Sequence, residues 1–92
     1  MFFAFYQFHF LCLEFCFENG ILYQVHDAIR DVVVDANVDA VWTLDAVQCQ
    51  NYCQNSSSCN YWSWKNGSCY GLYSKGQMAF DLYAISGPKY CN

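Results

Sequence analysis

Thiols are the groups in this chain with the widest chemical repertoire. There are seven, Cys12, Cys16, Cys49, Cys53, Cys59, Cys69 and Cys91. Cysteine can ligate zinc, attack as a nucleophile or form a disulfide, and spacing helps to separate the three. Structural zinc sites pair two close Cys knuckles, or one knuckle with paired His. Cys49 and Cys53 would make one knuckle, but Cys59 and Cys69 are too far apart to make another. His26 stands alone and His9 lies in the apolar start of the chain. A catalytic cysteine needs a free thiol and a neighbouring base, for which His26 is the sole candidate beyond that start. Ser86 lacks the G-x-S-x-G setting of a nucleophile elbow. Disulfide formation is the remaining use. Cysteine density at this level in a short chain is typical of disulfide scaffolds in oxidising compartments. No catalytic residue, metal or cofactor is assigned.

Other side chains offer weaker chemistry. Asp27, Asp31, Asp35 and Asp39 recur every four residues, yet they lack the calcium-loop pattern of an EF-hand and read as solvated loop carboxylates. Trp62 and Trp64 alternate along a strand and are read as packing. Trp42 and Tyr70 are the candidates for exposed ligand contacts, because aromatic rings stack on sugars and partner side chains. Asn55-Ser56-Ser57 and Asn66-Gly67-Ser68 fit the N-glycosylation sequon.

The elements that must position these groups can be read locally. Asp45 occupies an N-cap position with Gln48 three residues on, a capping-box variant that predicts a helix over Ala46 to Gln54. Cys49 and Cys53 then project from one helical face. Cys59 to Trp64 and Ser68 to Tyr73 read as two strands joined at Asn66-Gly67, a type I′ hairpin signal. Met78 to Ile85 reads as a last strand closed by Ser86-Gly87-Pro88, and Val32 to Val34 as a strand core. The chain's 92 residues suit one domain. Residues 1–15 are dense in Phe and lack Lys and Arg. They read as a signal-peptide-like or misannotated leader, the plainer alternative being a buried first strand. Their removal takes Cys12 and leaves six cysteines, an even set, in a domain spanning 16–92.

At Cys49-Gln50-Asn51-Tyr52-Cys53, Cys59-Asn60-Tyr61-Trp62-Ser63-Trp64, Cys69-Tyr70 and the closing Ser86-Gly87-Pro88-Lys89-Tyr90-Cys91, the sequence resembles the PAN/apple domain family. The resemblance covers about Cys16 to Cys91. It implies a small disulfide-rich α+β fold, in which a curved antiparallel sheet cradles one helix. It also implies the nested pairs Cys16–Cys91, Cys49–Cys69 and Cys53–Cys59. In the chain-entropy picture these loops would contribute about 4, 3 and 2 kcal/mol respectively, and they are not additive. One departure is Gly71, where the family often has an apolar residue. With Leu72 following, a register-shifting bulge is expected there.

The resemblance implies an extracellular, non-catalytic adhesion or binding module that takes protein or carbohydrate ligands. The net charge of −4 and the charged fraction of 13% argue against nucleic-acid phosphates as partners. They also supply no polybasic patch for a membrane, and no stable membrane insertion of the mature domain is expected. A single copy would gain avidity as a homo-oligomer or among tandem domains. The alternative is a structural or regulatory segment of a larger secreted protein such as a protease, with proteolysis by association only.

Overall fold

The computed structural model describes residues 16–27, 32–33 and 39–91. The leader with Cys12, and Asp31, Asp35 and Val34, lie outside the described residues. The strands are β1 (Glu18–Tyr23), β2 (Val25–Asp27), β3 (Val32–Val33), β4 (Asp39–Trp42), β5 (Tyr61–Lys65), β6 (Ser68–Leu72) and β7 (Met78–Pro88). One helix, α1 (Ala46–Gln54), joins β4 to β5. Five strands form an antiparallel sheet in the order β1-β7-β5-β6-β4, while β2 and β3 pair separately. The fold is a small disulfide-rich α+β domain.

Local chemistry accounts for most of these boundaries. The Asp45 carboxylate accepts from Gln48 N at 2.9 Å, capping one orphan amide of the first turn. Gln48 Oε1 in turn accepts from Leu44 N at 2.9 Å, so the reciprocal bond closes one residue before the cap. At the far end Asn55 donates its backbone N–H to Asn51 O and Tyr52 O, and its side chain to Asn51 O as well. Asn66 and Gly67 have φ of 49° and 90°, the left-handed pair that a type I′ turn requires.

Two expectations need correction. The β5–β6 register runs unbroken from Tyr61↔Leu72 to Lys65↔Ser68, with Gly71 opposite Trp62, so there is no bulge at Gly71. Glycine keeps the strand close to its neighbours there: a Cβ would meet Cys59 Sγ and Tyr52 Cε2, both at a tight 3.3 Å. The irregularity lies between β1 and β7 instead, where Gly20 alone stands opposite residues 81–84. The last strand also does not close at Ile85; Ser86, Gly87 and Pro88 continue it against Ser63, Trp62 and Tyr61. Lys89 N donates to Asn60 O, which turns the Pro88 nitrogen one residue earlier away from β5. Among the described residues no strand faces that side beyond Glu18, so the missing N–H breaks no described ladder bond.

The core lies between α1 and the sheet. Ala46, Cys49, Cys53, Cys59, Trp62 and Cys69 form its buried cluster, with Phe17, Trp64 and Ile85 packed against it. Trp62 is fully buried. Phe17 meets it edge-on at 4.8 Å between ring centroids, a favoured aromatic geometry. Burying an indole requires a partner for its N–H, and Pro88 O accepts it at 2.8 Å.

Candidate functional site

All six described cysteines are bonded, as Cys16–Cys91, Cys49–Cys69 and Cys53–Cys59. Their Cα atoms lie 5.5, 5.3 and 5.2 Å apart, within the usual disulfide range. The pairs are those the resemblance implies. Disulfides of this number belong to an oxidising compartment. Among the described residues no helix is long and apolar enough to cross a membrane.

The staples leave two surfaces open, one on each face of the sheet. Cys69 points towards the helix, so its neighbour Tyr70 lies on the opposite face. Cys69 opposes Val41 and Ser68 opposes Trp42, which places Trp42 on the same back face as Tyr70, one strand over. Trp42 is 72% exposed and Tyr70 is half-buried. Trp42 nevertheless has a floor. A Cβ at Gly67 would lie 2.7 Å from its Nε1 and 3.0 Å from its Cδ1, so the hairpin turn packs directly against the indole. Asn55 and Asn66, the sequon residues, are both exposed. The Asn55 amide is engaged with Asn51 O at 3.0 Å.

The front face carries a cleft of about 380 Å³ beside the start of α1. Phe17, Asn19 and Ile85 line it from the β1 and β7 side. Asp45, Ala46, Val47 and Trp64 line it from the helix and β5. Trp64 is held in place by donating Nε1–H to Thr43 O at 3.2 Å. The walls are therefore aromatic and aliphatic, with one carboxylate and one amide as the polar side chains. No sequence signal located this cleft, because its residues come from four separate stretches of chain. The closest hint was the cap at Asp45.

Charge elsewhere is committed to structure. Lys65 Nζ lies 2.6 Å from Asp81 Oδ2. Burial alone would raise the Asp81 carboxyl, but the Lys65 ammonium and the Tyr83 amide outweigh it and hold the carboxyl below its ordinary range. Lys75 pairs with Glu18 at 3.5 Å and sits over the Tyr23 ring. Burial, helped by the hydrogen bond to Glu18, pushes the Tyr23 hydroxyl well above the usual tyrosine value. Lys89 donates to Ser56 O at 2.9 Å. None of these lysines lines the front cleft.

Comparison of the chain with protein-family models, with curated proteins and with solved structures finds no match.

Proposed function

We propose that the chain is a PAN/apple-type module acting outside the cell, a non-catalytic adhesion or binding domain for protein or carbohydrate ligands. The fold assignment is supported by the nested disulfides and by one helix stapled across an antiparallel sheet. The three disulfides agree with export. Trp42 is the observation that carries the binding role. A side chain that is 72% exposed costs the folded domain apolar surface in water, yet the Gly67 turn packs against the Nε1–Cδ1 edge of the indole. A ring held in advance loses little freedom on binding and suits stacking on a pyranose face or a partner side chain. Tyr70, on the adjacent strand of the same face, extends the surface.

The test is a glycan array together with a pull-down from extracellular fluid, using the oxidised domain and the Trp42→Ala variant. Binding by the native domain that falls at least tenfold in the variant is the expected result. Reproducible silence of the native domain in both assays would overturn the reading in favour of a structural segment.

A further inference from the structure

The front cleft differs from the Trp42 surface in residues, in face and in chemistry. Five of its lining side chains are apolar, and its polar ones are Asn19 and Asp45. A pyranose brings a ring of hydroxyls, and each one buried without a partner costs about 1–3 kcal/mol; two polar side chains serve such a ring poorly. An unbranched aliphatic cation matches the walls better, with its stem along Trp64, Phe17 and Val47 and its charge at Asp45. The chain carries a net charge of −4, and no described lysine lines the cleft to compete. One carboxylate oxygen of Asp45 is already taken by Gln48 N. A single oxygen remains, which suits the point charge of an ammonium rather than the two-pronged fork of a guanidinium. We infer that the cleft between α1 and the β5–β7 pair is a docking site for a lysine side chain of a partner polypeptide.

Titration of the ¹⁵N-labelled oxidised protein with Nα-acetyl-lysine N-methylamide tests this directly. Saturable shifts are expected at the Trp64 indole N–H and at the amides of Phe17, Ala46, Val47 and Ile85, weakening as salt is raised. Asp45→Asn keeps the helix cap, since Asn caps as well as Asp, but removes the charge. Affinity should fall about tenfold or more, the scale of a lost charge-assisted hydrogen bond. Equal binding of the neutral norleucine analogue would overturn the inference. So would preferred binding of the arginine analogue or of a methyl pyranoside at the same signals, or the absence of saturable shifts. The Trp42 reading is separable. Pull-down or array binding lost in Trp42→Ala and kept in Asp45→Asn upholds it even when the lysine analogue fails. Lysine-dependent shifts with silent array and pull-down uphold the cleft alone.

Discussion

The two halves of the sheet are fastened by different means. Around α1, β5 and β6, the Cys49–Cys69 and Cys53–Cys59 bonds surround a fully buried Trp62, so covalent and apolar contacts do the holding. Around β1 and β7, Leu22 and Ala84 form only a small apolar cluster with Ala79 against it, and a chain of buried polar groups does much of the holding. Tyr23 N donates to Ser63 Oγ at 3.0 Å, Ser63 and Ser86 hydroxyls meet at 2.7 Å, and Ser86 donates to Ile21 O at 2.6 Å. Asp81 is buried on its ion pair with Lys65. Ser63 and Ser86 are both fully buried, and each satisfies the other, so the chain of hydroxyls costs little while it is complete. It spans the place where residues 81–84 of β7 swing away from β1. The stapled half tolerates crowding and rigidity; the polar half depends on pH and on every member of a network being present. The front cleft takes walls from both halves, so it reports on either.

The comparison can be broken at the stapled half first. The double variant Cys49→Ala/Cys69→Ala should lose about 3 kcal/mol by loop entropy alone, and reduction of all three bonds should unfold the domain. Urea titration and near-ultraviolet circular dichroism measure both, and retention of the native spectrum under reductant would contradict the division. Ser86→Ala leaves the Ser63 hydroxyl proton without its acceptor and removes the hydroxyl that donates to Ile21 O. It should cost about 1–3 kcal/mol, read in the same urea titration, with the disulfides intact by mass spectrometry.

Acidity sharpens the contrast next. The Asp81 carboxyl is held below its ordinary range in the folded state, so its contribution is present above the unfolded value near 4 and is lost as pH falls through the folded value. Signals from β7 should shift before those around Trp62, and Asp81→Asn should flatten that part of the pH profile. The smallest effect is expected at the hairpin. Gly67→Ala places a Cβ against Trp42 at a φ of 90°, costing about 1 kcal/mol or somewhat more. A changed Trp42 emission with an unchanged Trp62 environment would show that the turn supports the indole.

Much of the stapled half was legible in sequence because its signals are short-range. Asp45 with Gln48 marks the helix start, and Asn66-Gly67 marks the turn. Trp62 and Trp64 both pack with the core cluster, as their alternation suggested. Of the two rings expected to be exposed, Trp42 is and Tyr70 is half-buried. The polar half was not legible. Ser63 reads as an ordinary strand residue and Ser86 as the close of the last strand until the register places them opposite each other. The bulge was sought at Gly71 but falls opposite Gly20, because the pairing of β1 with β7 is set by contacts more than fifty residues apart in sequence. The cleft shares this property, since Asn19, Asp45, Trp64 and Ile85 meet only once the sheet is assembled.

That pairing of the earliest strand with the last also sets a timetable. Among the described strands β1 pairs with β7 alone, so during synthesis that pairing waits until β7 has left the ribosome, whereas α1, β5 and β6 can already be stapled by their own short loops. The inner bonds, spanning 6 and 20 residues, can therefore close while the chain is still growing, and Cys16 must wait 75 residues for Cys91. In that interval β1, apolar in its second half, and the Cys16 side chain are carried by a half-built domain. The final oxidation is thus the step at which the nascent protein is most exposed to wrong partners, and the step that a folding catalyst would serve best.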